Sequence, residues 1–194
     1  MIKHTFLDLD GCPVDFLRGA FTVLDGRDLT LEERGIDLII NQNYSSTMLD
    51  TYFKSSITRA EFVKKVDDAG PEFWANLYST PYSPLSVVED FVTKTGCQLV
   101  ILSNPSEFTY AVEGKNIWLK NHLKVPYSTV YTKEKQYLAN TPNSILIDDT
   151  FSMCETFSKA GGRVFFYNAY TPHSLDNLTF LLEYEKNHSK QSST

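Results

Sequence analysis

The chain lacks the features that mark several common protein classes. It has only three cysteines, Cys12, Cys97 and Cys154, odd in number, far apart and without metal-ligand spacing. That argues against a disulfide framework or a zinc site and for a reducing compartment. Basic residues are in deficit: 18 Lys and Arg against 24 Asp and Glu give a formal net charge of -6. A polyanion held over a broad surface is therefore not expected, although a few local cations could still hold a small anion. No apolar run approaches the length needed to cross a bilayer. The amino terminus runs directly into the first predicted strand and leaves no room for a signal peptide. A soluble cytoplasmic protein is expected. His4, His122, His173 and His188 show no ligand spacing and are assigned no chemistry. Repeats and low-complexity segments are absent.

What remains is an ordinary globular composition, 42% hydrophobic over 194 residues, enough for one sizeable domain or a domain with an insertion. The stretch Phe6-Leu7-Asp8-Leu9-Asp10-Gly11-Cys12-Pro13-Val14-Asp15-Phe16 organises the reading. Ile2, Phe6 and Leu7 suggest a buried strand, followed by two carboxylates two residues apart. In an extended chain these point to the same side, and their repulsion calls for a cation or a proton. Gly11 permits a sharp turn. An acidic strand end with a turn is the plain alternative.

Residues 17 to 82 read as a small helical insertion without a clear strand. Thr30-Leu31-Glu32-Glu33 and Thr58-Arg59-Ala60-Glu61 have capping-box spacing. Ile36, Ile39, Ile40, Met48, Leu49 and Phe53 between them, and Phe62, Val63 and Val66 after them, suit helix faces. From Pro84 strands and helices alternate. Leu85 to Thr95 has helical spacing and ends at Gly96; Cys97 to Leu102 reads as a buried strand. A helix is expected over about 110 to 123, with Val112, Ile117, Trp118 and Leu119 on its apolar side. Ser128–Tyr131, Ser144–Ile147 and Arg163–Tyr167 are further strands. Ser152-Met153-Cys154-Glu155 has capping-box spacing for a helix ending at Gly161-Gly162. Leu175, Leu178, Leu181 and Leu182 mark a last helix, and Asn187 to Thr194 should fray. The pattern predicts a parallel sheet with right-handed crossovers.

Four predicted strands end in groups suited to chemistry: Asp8/Asp10, Ser103/Asn104, Lys133/Lys135 and Asp148/Asp149. Each alone has a bland explanation as a turn former, a solvated lysine or a helix cap. Together, on one edge of a parallel sheet, they are hard to attribute to chance. In this order they resemble the haloacid dehalogenase-like (HAD) phosphohydrolase superfamily, and most of all its 5'(3')-deoxyribonucleotidase branch. That branch's Asp-x-Asp-Gly-x-x-x-Asp-Phe opening is met by Asp8 through Phe16. Its second motif is met by Ser103-Asn104-Pro105, and its later segments by Thr132-Lys133-Glu134-Lys135 and Ile147-Asp148-Asp149. Gly114-Lys115-Asn116-Ile117-Trp118 meets its Glu-Lys-x-x-Trp helix in part. The likeness covers residues 2–16 and 72–167. Cys12, Pro13, Asn104 and Lys133 depart from the family pattern, and residues 17–70 carry no matching motif.

The resemblance implies a Rossmann-like parallel sheet flanked by helices, formed by residues 1–16 and 83–194, with residues 17–82 as a helical cap inserted after the first strand. It implies a Mg²⁺-dependent phosphatase for a small phosphate ester, foremost a (deoxy)nucleoside monophosphate. Asp8 would be the nucleophile, and Asp10 the general acid and then the base. Asp8, Asp149 and the Asp10 carbonyl would bind Mg²⁺, with Asp148 in support. Ser103 and Asn104 would meet the phosphate. Lys135 is favoured over Lys115 as the phosphate clamp. Phe16 and Trp74 are candidate base-stacking groups, with a hydrophobic hinge between cap and core as the alternative. A sugar phosphate or a polynucleotide phosphate end is a second substrate reading, and a non-catalytic binding module of the same fold is a third. The expected partner is a small phosphorylated substrate, not a membrane or a long nucleic acid; a homodimer is left open.

Overall fold

The computed structural model describes residues 2–25, 58–141 and 143–189. The expected capping box at Thr30–Glu33 and the helix faces at Ile36, Ile39, Ile40, Met48, Leu49 and Phe53 lie outside these residues.

Five strands form one parallel sheet: β1 (His4–Leu7), β2 (Gln98–Ser103), β3 (Tyr127–Tyr131), β4 (Ser144–Asp148) and β5 (Arg163–Phe166). Their order is β3-β2-β1-β4-β5. The chain steps outward from β1 to β2 and β3, then returns to the other side of β1. The switch point therefore falls at β1, where open α/β sheets bind ligands beyond the strand ends. Register pairs Leu7 with Ile101 on one side and Ile147 on the other, so Asp8 stands level with Leu102 and Asp148. The apolar runs Leu99–Leu102 and Ile145–Ile147 are buried on both faces, as a parallel sheet demands. Alternation divides them: Leu7, Leu99, Ile101 and Ile147 join the larger core, while Phe6, Val100, Leu102 and Leu146 pack on Phe157 opposite.

Seven helices follow among the described residues: α1 (Phe16–Asp25), α2 (Arg59–Asp68), α3 (Pro71–Ala75), α4 (Leu85–Thr95), α5 (Ala111–His122), α6 (Phe151–Lys159) and α7 (Pro172–Ser189). The Thr58–Glu61 capping box forms as expected at the start of α2. The one expected at Ser152–Glu155 does not. α6 begins at Phe151 after Thr150, which makes no side-chain cap bond, so Ser152 is already inside the helix. The Thr150 N–H instead donates to Asp148 Oδ1 at 2.8 Å.

The apolar side of α5 also differs from expectation. Its buried face is Ala111, Gly114, Lys115, Trp118 and Leu119, whereas Val112 and Ile117 are only partly covered. Helix α3 presses so close to α5 that a Cβ on Gly114 would lie 2.3 Å from Trp74 Cβ. Helix α7 runs on through Asn187 to Ser189, into the tail expected to fray. No described helix is long and apolar enough to cross a membrane.

Candidate active site

Beyond β1 the chain makes a tight turn. Gly11 N–H donates to Val14 O at 2.8 Å, and Val14 N–H to Leu9 O at 3.0 Å. Gly11 has φ 81°, and a Cβ there would stand 2.1 Å from Asp149 Oδ2. Only glycine lets the turn lie against that carboxylate. A returning segment pins the turn: Asp15 N–H donates to Tyr78 O, and Thr80 N–H to Pro13 O. Asp15, fully buried, accepts from Arg18 N–H to start α1 and from the Tyr170 hydroxyl at 2.8 Å. The strand end is thus held rigidly from both sides.

Two buried lysines enter the site from different elements. Lys135, at the head of a 3-10 turn over Lys135–Leu138, lies 2.7 Å from both Asp8 Oδ1 and Asp148 Oδ2. Burial opposes its charge, but the two carboxylates outweigh that and hold the ammonium above the ordinary lysine range. Asp149, beside them, is 7% exposed, and its Oδ1 is enclosed without a hydrogen-bond partner. Burial, then the charges of Asp8 and Asp148, push its carboxyl well up. Burial and Asp8 also raise Asp148, against the pull of Lys135. Asp8, Cys12 and Asp149 bring ligand atoms within 4.8 Å of one another. Two carboxylates on one ammonium, with a third beside them whose Oδ1 is orphaned, form a cradle that fits a divalent cation.

Lys115, from the buried face of α5, lies 2.5 Å from Asp10 Oδ2 and donates to Asn104 O at 2.8 Å and Ser103 Oγ at 3.3 Å. Asp10 keeps 29% of its side-chain surface while its Oδ1 is enclosed and unpaired. Burial raises the Asp10 carboxyl, Lys115 opposes this, and Asp8 adds to it. Asp8 and Asp10, two residues apart, are therefore each held by a different cation.

Ser103 is buried at the end of β2; the Asn104 side chain turns to accept the Ser106 N–H at 2.9 Å. Trp74 is 2% exposed and stacks on partly buried Phe16 at 5.2 Å, with Phe73 and Phe108 completing the cluster. Lys115 Nζ stands 5.1 Å from the Trp74 ring, whose Nε1 has no partner. Lys133 is exposed. Two contributors had no assigned role in the sequence. Cys12 was visible only as a departure from the family pattern. The Asp15–Tyr170 contact joins positions too distant for any spacing rule.

No family model and no curated protein matches this sequence. Solved structures do. A hydrolase from Streptococcus pneumoniae TIGR4 aligns over 94% of this chain and 98% of its own, with TM-score 0.60 and 15% identity. HAD hydrolase, family IA, variant 3 from Entamoeba histolytica aligns over 94% and 100%, with TM-score 0.51 and 10% identity. CbbY from Rhodobacter sphaeroides, in complex with phosphate, aligns over 89% of each chain, with TM-score 0.51 and 14% identity. The chain has the Rossmann-like α/β fold of HAD hydrolases.

Proposed function

We propose that the protein is a Mg²⁺-dependent phosphomonoesterase acting through an aspartyl-phosphate on Asp8. The observation that carries this reading is the pair of acids at the switch-point strand, each on its own lysine, with Ser103 beside one lysine and the acid-rich cradle beside the other. Asp8 and Asp149, with the Asp10 backbone carbonyl, would hold Mg²⁺, and Asp148 would support them through Lys135. Bound there, Mg²⁺ offsets the charge of the carboxylates and of the incoming phosphate.

An Asp8 oxygen attacks phosphorus as the bond to the ester oxygen breaks. Asp10, whose carboxyl burial keeps protonated more readily than a free one, gives its proton to that oxygen. Asp10 then accepts a proton from the water that cleaves the aspartyl-phosphate, restoring both residues. Ser103 Oγ and Lys115 hold the phosphoryl oxygens. The contact between them favours Lys115 for this task, leaving Lys135 to position Asp8 between itself and Asp148. Residues 17–82 would form the cap that closes over the site.

The substrate reading is a (deoxy)nucleoside monophosphate, from the motif resemblance, with Phe16 as the aromatic closest to the catalytic turn. Burial of Trp74 favours a packing role for that ring over base stacking. A sugar phosphate is the second reading: a CbbY mutant, of similar fold, was solved with xylulose-(1,5)bisphosphate. Phosphate release across nucleoside monophosphates and sugar phosphates, with Mg²⁺ and with chelator, tests both. Release from none of them would end the phosphatase reading.

A further inference from the structure

The sequence spacing of the cysteines argues against a metal site, yet folding brings one of them into the carboxylate cradle. Cys12 is fully buried, and its Sγ belongs to the same three-residue group as oxygens of Asp8 and Asp149, all within 4.8 Å. Its only hydrogen bond among the described residues is a long one, 4.0 Å to Ile147 O. Cys97 and Cys154 instead face Thr5 Oγ1 and Asp148 O, and neither joins such a group. The orphaned, enclosed Oδ1 of Asp149 points independently to a ligand here.

We propose that Asp8, Cys12 and Asp149 form a site for a thiophilic divalent cation, Zn²⁺ or Cd²⁺, overlapping the site of the hard cation. Mg²⁺ takes oxygen ligands and has no use for the sulfur. Zn²⁺ accepts thiolate and carboxylate together and commonly takes three protein ligands with one open position. A tetrahedral zinc with bonds of ~2.0–2.3 Å holds its ligand atoms about 3.5 Å apart, so atoms that already lie within 4.8 Å of one another need only a small adjustment of the side chains. As the metal–sulfur bond forms, the Cys12 thiol proton leaves to solvent. A soft cation bound this way would occupy Asp8 and exclude Mg²⁺. Binding of the soft cation needs only these three donors, whereas its competition with Mg²⁺ rests on the cofactor reading above.

The test uses the full-length, metal-free protein titrated with Cd²⁺. Binding is followed by the ultraviolet thiolate-to-cadmium charge-transfer band, and Cd²⁺ and Mg²⁺ affinities by calorimetry. One equivalent of Cd²⁺ should produce the band. Cys12→Ser should abolish it and weaken Cd²⁺ by at least about tenfold, while Mg²⁺ affinity shifts by no more than about threefold. The double variant Cys97→Ala/Cys154→Ala should keep the band. Cys12→Ala, checked by circular dichroism, repeats the test should Ser fold poorly. Absence of the band in the unmodified protein, or its persistence in either Cys12 variant, would overturn the proposal. Failure to bind Mg²⁺ would count against the cofactor reading and not against this one.

Discussion

The two lysines at the head of the sheet make a controlled comparison within one site. Both are buried, and both pair with an acid from the same short turn. Lys135 faces Asp8 and Asp148, with Asp149 alongside, so its half of the site carries an excess of negative charge. Lys115 faces Asp10, a hydroxyl and a carbonyl, and its charge is balanced one for one. Repulsion in the first half would be relieved by a bound cation. The second half can turn its ammonium and hydroxyl toward an anion without stranding a second acid. A single residue, Leu9, between Asp8 and Asp10 thus separates an acid-rich half from a charge-balanced half, which the proposed reaction would use for metal and for phosphate. In the proposed reaction the separation would also give the two acids different tasks.

The largest effect should come from the shared centre. Asp8→Asn should lower phosphate release on the order of 10⁴-fold or more, because an amide is a poor nucleophile. Thermal melting in chelator should be unchanged or higher, since one repelling charge is gone. Turnover within a few-fold of the unmodified protein would remove Asp8 from the nucleophile's role.

Asp10→Asn should cost ~10²–10⁴-fold on a nucleotide and less on p-nitrophenyl phosphate, whose leaving group needs little protonation. Equal losses on the two substrates would contradict an acid role.

The lysines themselves sharpen the contrast. Lys135→Met strands Asp8 and Asp148 in the interior and should destabilise the metal-free protein by about 3–5 kcal/mol, the range for breaking a buried pair. Added Mg²⁺ should recover part of this. Lys115→Met should destabilise less, because Asp10 retains contact with water, but should weaken inhibition by inorganic phosphate about tenfold. Urea melts and phosphate inhibition constants separate the two patterns, and identical behaviour would erase the distinction between halves.

The smallest effect is that of the cation on the unmodified fold. Mg²⁺ at a hundred times its dissociation constant should raise stability by ~2.7 kcal/mol. Ca²⁺ should also stabilise but inhibit turnover, since its longer, more numerous bonds let Asp8 bind through both oxygens. Undiminished turnover in chelator would contradict the cradle's role.

The strands could be read from the sequence because parallel strands buried on both faces are short apolar runs, as at Leu99–Leu102 and Ile145–Ile147. The residues at their ends followed from the rule that such strands present chemistry at their carboxyl ends. Lys115 was harder. It shares a helix face with Ala111 and Trp118, at spacings of four and three, but a lysine on an apolar face reads as a flaw in the pattern unless its partner is known. That partner, Asp10, lies 105 positions away. Cys12 was obscured for a similar reason, because its neighbours Asp8 and Asp149 meet only through the pairing of β1 with β4. Capping at α6 misled because the helix starts earlier: the Met153 and Cys154 N–H groups both donate to Thr150 O, so Ser152 already lies inside it.

In the proposed reaction phosphate passes through Asp8. The direct measurement mixes the Asp10→Asn variant with a cleaved substrate, quenches in acid within one turnover, digests the protein and examines the peptides by mass spectrometry. A phosphoryl group is expected on the peptide bearing Asp8, lost on treatment with hydroxylamine as an acyl phosphate should be. A phosphoryl group found on another residue, or release of phosphate in the first turnover with no phosphorylated peptide at any time, would contradict it.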